Sequence, residues 1–245
     1  MRVIDINTML GPWPHQKLEF ETAEQLVKKM DRYGIETAWA YSSYAVKISP
    51  LDGNYMLMDQ LKGYEDRIKP CWVIVPTWDM ECDGSLEKEL KENDVRMVRM
   101  LPAEHNFSLD PWVCADVYGM LSKNSIPLML EHANAPAAQI HAVCQAFPEL
   151  KVILAQCEFF QNRNLYMLMK QHQNLFLEIS TYYVYSGVED LVRRFGSQRI
   201  LFGSHMPFQE GAAPLGMTLL ADLMENEKED ILYRNAERLM REVRQ

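Results

Sequence analysis

A chain of 245 residues is long for one ordinary domain and the usual size of a single α/β barrel. Its 48% apolar and 24% charged residues give an ordinary soluble profile. The net charge of −9, with cations scattered rather than clustered, argues against nucleic acid as a partner, since phosphate binding needs grouped Lys and Arg. No apolar run approaches the ~20 residues of a membrane span.

In chain order, short apolar runs alternate with longer helical stretches. Strands are predicted at Val3–Asn7, Thr37–Tyr41, Lys69–Val75, Arg96–Leu101, Pro127–Glu131, Val152–Gln156, Leu175–Ile179 and Ile200–Gly203. Between them, apolar residues recur at helical spacing, as in Ala23, Leu26, Val27 and Met30, or Val188, Leu191, Val192 and Phe195. Gly34 and Gly196 follow two of these patterns as helix terminators. Pro127 and Pro148 mark breaks before strands five and six, because the residue before proline avoids the α conformation. Helices are also predicted near Leu215–Met224 and Lys228–Arg241. Alternating strands and helices imply parallel pairing with right-handed crossovers. Eight such units in this length favour one closed (β/α)8 TIM barrel over residues 1–245.

Five cysteines (Cys71, Cys82, Cys114, Cys144, Cys157) form no CxxC pair and read as reduced, mostly buried thiols. No signal-peptide pattern precedes the first strand, so a cytoplasmic location is expected.

In such a barrel the reacting groups sit at the carboxyl ends of the strands. Those ends hold Asn7 and Met9, Ser42 and Ser43, Arg99, Glu131 and His132, Gln156 and Glu158, Ser180, and His205. The loops Gly11–Phe20 and Thr77–Gly84 are expected to wall the pocket. Trp13, Trp78 and Trp112 are candidates for a lid or for packing between loops. His15, His105, His141 and His172 are expected to be exposed.

The segments Asn174–Ser180, Arg194–Gly196 and Arg199–Ser204, the ending Ile231–Leu239 with its Asn-Ala-x-x-Leu core, and the opening Val3–Asn7 to Gly11 resemble the amidohydrolase superfamily, in particular amidohydrolase family 2. The resemblance implies a metal-dependent-hydrolase TIM barrel, usually a divalent ion such as zinc, and hydrolysis or decarboxylation of small carboxylated or cyclic substrates. It also implies where the metal ligands fall. The first-strand His-x-His positions hold Asn7 and Met9. The strand-five and strand-six histidine positions hold Glu131 and Gln156, and the strand-eight aspartate position holds His205. Asn and Gln offer weak neutral oxygens, and a thioether suits soft ions. Only Glu131 and His205 remain competent, so no bound cofactor is expected, with zinc or another divalent ion as the alternative.

The expected catalytic residues are therefore Glu131 and His205, facing one another as a hydrogen-bonded pair that raises the imidazole pKa. Such a pair serves proton transfer or fills a vacated site structurally. Arg99 is expected to hold a substrate carboxylate, with Asn7, Met9, His132, Gln156 and Glu158 around the substrate. Three functions stay open. One is a hydrolase or lyase on a small carboxylate-bearing or lactone-like molecule, working without the usual ion. Another is an inactive relative that binds a ligand or partner. The third is a metal enzyme using Glu131, His132 and His205 with Glu158 or Asp5. The partner expected is a small molecule, with no nucleic acid and no membrane; dimers are common among similar proteins, so a homodimer is an open expectation.

Overall fold

The structure, a computed structural model, describes residues 1–76, 80, 84–158 and 162–244. Eight parallel strands carry it: β1 (Ile4–Leu10), β2 (Thr37–Ser42), β3 (Ile68–Pro70, continued by Trp72–Val73), β4 (Val98–Met100), β5 (Leu128–Glu131), β6 (Val152–Ala155), β7 (Leu175–Glu178) and β8 (Ile200–Leu201). Each pairs with the next. Pro70 has no N–H to give, and the ladder from β3 to β4 takes up at Trp72, opposite Val98. The N–H of Cys71 still reaches the Ala40 carbonyl at 2.8 Å, which keeps β3 on β2.

Closure comes from β8 meeting β1. Ile6 donates to the Phe202 carbonyl (3.3 Å), His205 to Asn7 (2.9 Å) and Met9 to Met206 (2.9 Å). The Asp5 carboxylate rivets this seam, accepting from the backbone N–H groups of Asn7 and Ser204, each at 3.0 Å. A fully closed sheet leaves no edge to pair with another chain. This is a TIM barrel.

The period-two alternation of strands sorts side chains into two cores. Trp39, Tyr41, Val73, Met97, Met129, Ile153, Phe176 and Leu201 fill the barrel interior. Ala38, Ala40, Val98, Met100, Leu128, Leu130, Val152, Leu154, Leu175 and Leu177 face the helices. In β1 the register slips between Asp5 and Thr8. This bulge inserts one residue and shifts the phase of the strand. Ile4 and Ile6 below it and Met9 above it all belong to the interior, and Asn7 reaches in as well.

The helices are α1 (Ala23–Tyr33), α2 (Ser43–Lys47), α3 (Pro50–Leu61), α4 (Ser85–Glu92), α5 (Pro102–His105), α6 (Pro111–Lys123), α7 (Ala137–Ala146), α8 (Asn162–Gln171), α9 (Gly187–Phe195), α10 (Ala212–Leu219), α11 (Glu225–Glu229) and α12 (Asn235–Glu242). At the start of α1, Thr22 and Gln25 form a capping box, and at its end Gly34 sits left-handed at φ 68°. Such a box satisfies two otherwise orphaned donors. The ending holds β8 by a definite contact. Ile231, in a π turn between α11 and α12, accepts from Phe202 N–H (3.0 Å). Asn235 Nδ2 donates to the carbonyls of Ser197 and Ile200, both at 2.8 Å. Among the described residues no helix is long and apolar enough to cross a membrane. Cys71, Cys114, Cys144 and Cys157 are buried free thiols.

Candidate active site

At the carboxyl end of the barrel a cavity of about 230 Å³ is lined by Trp13, Tyr41, Val46, Leu101, Glu104, Glu131, Gln156, His205 and Phe208. Its floor is a polar network laid across four strands. Arg99, on β4, is completely buried. A buried charge needs a partner, and this one has several. Nη1 donates to Glu131 Oε1 at 2.5 Å, Nη2 donates to Asn7 Oδ1 at 2.6 Å, and the Tyr41 ring lies 3.9 Å from the guanidinium carbon. Asn7 turns its other end to β7, donating through Nδ2 to Glu178 Oε2 at 3.0 Å. Glu178 also accepts from the Ser180 backbone N–H (2.5 Å) and hydroxyl (2.9 Å). Burial pushes the Glu178 carboxyl up to about 7 despite these bonds. Room for that carboxylate exists because residue 203 is glycine: a Cβ there would stand 2.3 Å from Glu178 Oε1.

Glu131 rises from this floor into the cavity. Its second oxygen accepts from Asn134 Nδ2 at 2.9 Å, so both oxygens are held. His205 stands across the cavity. Burial, helped by the nearby charge of Arg99, lowers its pKa from 6.5 to about 4, so the ring is neutral at pH 7. Its Nδ1 is buried without a hydrogen-bond partner. The Phe208 ring lies 5.1 Å away, centroid to centroid. Phe208 in turn meets Trp13 edge-on at 4.9 Å, and Lys47 sits 4.6 Å over the Trp13 ring while bonding Glu104 at 2.6 Å. These four residues form the rim.

Two cavity residues, Gln156 (φ 57°) and His205 (φ 55°), have left-handed backbone. For side chains of this size that conformation costs on the order of 1–3 kcal/mol and persists where surrounding structure enforces it, often at functional sites. For His205 the enforcing contacts are its N–H on Asn7 and the clasp of Ser204 by Asp5.

The expected site residues divide. Glu131, Gln156 and His205 line the cavity, while Asn7 and Met9 lie in the barrel interior, wholly buried. Arg99 is not the free carboxylate clamp foreseen; its donors go to Glu131 and Asn7 below the cavity lining. Glu131 and His205 do not form the hydrogen-bonded pair foreseen, because Arg99 and Asn134 take the carboxylate. The imidazole pKa consequently moves down rather than up. His132 and Glu158 stand outside the lining: His132 is half-buried, close enough to feel the Glu158 charge, with its pKa lowered mainly by burial. Of the lid candidates, Trp13 is at the rim, Trp112 is exposed on α6, and Trp78 with most of its loop lies outside the described residues. His105 and His172 are less exposed than expected: His105 bonds the Val46 carbonyl (3.0 Å) and His172 packs on His141 (2.8 Å between ring nitrogens).

Glu178, Asn134, Tyr41 and Phe208 were missed. Glu178 and Tyr41 were legible in principle, since each lies at or one residue before the end of a strand, in phase with an interior residue, Phe176 or Trp39. Asn134 and Phe208 lie on loops whose course no periodicity announces.

The family model described as Amidohydrolase matches residues 38–241, most of the chain. The chain belongs to the amidohydrolase family. Three solved structures illustrate the likeness in fold. An uncharacterized TIM-barrel protein from Bordetella bronchiseptica is 19% identical with a TM-score of 0.77, covering 99% of each chain. The 2,6-dihydroxybenzoate decarboxylase from Rhizobium is 15% identical with a TM-score of 0.79, covering 98% of each chain. A dihydroxybenzoic acid decarboxylase from Polaromonas sp. JS666, with bound manganese and the inhibitor 2-nitroresorcinol, is 16% identical with a TM-score of 0.77, covering 98% of this chain and 96% of that one. No curated protein matches the sequence.

At the positions where the family resemblance would place metal ligands, the side chains are mostly weak donors for a divalent ion. Two are neutral amides and one a thioether, donors that bind a hard or borderline ion poorly. The one carboxylate among them, Glu131, already receives Arg99, and so does Asn7 Oδ1. The rearranged set also fails to assemble: Asp5 is committed to the β1–β8 seam, and His132 and Glu158 lie off the cavity. Among the described residues no cluster of three or more His, Cys, Asp or Glu could hold an ion.

Proposed function

We propose that this amidohydrolase-family chain is a hydrolase or lyase acting on a small lactone-like or carboxylate-bearing ring compound, with proton transfer carried by its own side chains. The observation that carries the reading is the placement of a pinned carboxylate, Glu131, and a neutral imidazole, His205, on one aromatic-walled cavity. At about 230 Å³ the cavity falls below the range of roughly 300–1,000 Å³ typical of drug-sized ligands. Flat aromatic walls suit a single ring.

The chemistry follows from the two groups. Each carboxylate oxygen has two lone pairs, so Glu131 keeps acceptor capacity after bonding Arg99 and Asn134. It takes a proton from water as general base. The hydroxide formed adds to the ring carbonyl carbon, and the oxygen that gains charge accepts a hydrogen bond from His205 in its neutral N–H form. The ring C–O bond then breaks, and the departing oxygen recovers the proton from Glu131. The decarboxylase names of the fold neighbours suggest an aromatic carboxylate instead. Such a group wants a free cation, and Arg99 is engaged by Glu131 and Asn7. A neutral lactone or ester ring therefore suits the lining better.

The test is a panel of lactones, aryl esters and hydroxylated benzoic acids offered to chelator-treated protein. Glu131→Gln is expected to lower kcat by about 100-fold or more, the low end of general-base effects, and also to lower the melting temperature, because buried Arg99 loses its carboxylate; kcat is therefore compared where both proteins are folded. Binding without turnover by the unaltered protein would instead mark a ligand-binding relative. Equal turnover by Glu131→Gln would remove Glu131 from the mechanism.

A further inference from the structure

The positions where the family resemblance would place metal ligands hold mostly weak donors here, yet the site is not without a cation. We propose that the Arg99 guanidinium is its resident cation, a tethered replacement for a divalent ion that fixes Glu131 toward the cavity and keeps free metal out. This deepens the reading above by naming what holds Glu131, but its test needs no substrate.

Three observations carry the assignment. The first is position. The terminal nitrogens of Arg99 land on Asn7 Oδ1 (2.6 Å) and Glu131 Oε1 (2.5 Å), two of the side chains at the metal-ligand positions. The second is donor chemistry. A guanidinium offers only N–H donors in a planar fork, and it meets oxygens at both tines. An amide at position 7 serves it well: Oδ1 accepts from Arg99 while Nδ2 donates to Glu178 at 3.0 Å. A second buried carboxylate is thereby tied to the same cation through one intermediate. The third is closure. Arg99 has no exposed surface, and the Tyr41 ring covers it at 3.9 Å, where a hydrated ion would need water. A cation carried on a strand cannot be removed by chelation or dilution.

The experiment uses Mn²⁺ as the probe. Unaltered protein and Arg99→Met are dialysed against chelator, titrated with Mn²⁺, and followed by elemental analysis and thermal melting. The unaltered protein is expected to retain less than ~0.1 equivalent and to melt at one temperature at every Mn²⁺ concentration. Arg99→Met leaves the Glu131 carboxylate without its cation; with only weak donors beside it, this variant is expected to take up Mn²⁺ loosely, with a melting temperature that starts lower and climbs only as Mn²⁺ reaches roughly the millimolar range. Arg99→Met/Glu131→Gln removes both charges together. It is expected to fold in metal-free buffer and to ignore Mn²⁺, which keeps the test usable where Arg99→Met folds only with metal. Close to one equivalent of metal in the unaltered protein would overturn the proposal. So would a folded Arg99→Met indifferent to Mn²⁺, or a double variant that binds it as well as the single one.

Discussion

Glu178 gives the sharpest test of the electrostatics beneath the cavity. Its carboxyl is fully buried, and its pKa rises from 4.5 to about 7, chiefly because burial disfavours the charged form. A carboxyl whose folded pKa is raised binds its proton more tightly in the folded state. Its contribution to stability is complete below pH 4.5 and is lost as pH rises through about 7. At about 1.4 kcal/mol per pH unit, that window amounts to about 3 kcal/mol. Glu178→Gln abolishes the titration. It also changes hydrogen bonds, since an amide nitrogen replaces an oxygen that accepts from Asn7 or Ser180. That cost is the same at every pH and cancels when the difference between the two proteins is followed. Urea unfolding at steps from pH 4.5 to 8 should therefore show the unaltered protein losing about 3 kcal/mol relative to Glu178→Gln across the range. A flat difference would mean that Glu178 has an ordinary pKa and that the floor is wetter or better compensated than its geometry implies.

His205 titrates in the opposite sense. Its folded pKa of about 4 lies below the ordinary 6.5, so its contribution to stability is complete above pH 6.5 and is lost as pH falls toward 4. His205→Asn, which accepts the left-handed backbone, should gain on the unaltered protein by about 3 kcal/mol between pH 6.5 and 4 in the same unfolding assay; parallel curves would contradict this. Gly203→Ala would bring Cβ to 2.3 Å from Glu178 Oε1 and 2.9 Å from Asn7 Cβ. Overpacking of this kind costs about 1–3 kcal/mol, so melting should fall by roughly 2–12 °C for a chain of this size. An unchanged melting temperature would show that the floor yields.

Much of the fold was legible because it rests on periodicity. All eight strands lie where apolar runs alternate with helical spacing, displaced by only a few residues at their ends. Arg99 and Arg96, three residues apart, fall on opposite faces by alternation: Arg99 is buried, and Arg96 pairs with Asp94. The site was less legible. Sequence spacing picked out Glu131, Gln156 and His205 as strand ends on one mouth. It could not say which partner each would choose. Glu131 shares a cavity with His205 but also meets Arg99, and a completely buried guanidinium claims the carboxylate first. The bulge in β1 was also hidden, because nothing in the sequence Val3–Leu10 marks which residue is the inserted one.

The rivet at Asp5 has a kinetic corollary. It joins residues 199 positions apart, and the Asn7–Glu178 bond spans 171. Contacts so distant along the chain form late, after the loop entropy between them has been spent. Refolding should thus be slower than that of an equally long chain held together by local helix contacts.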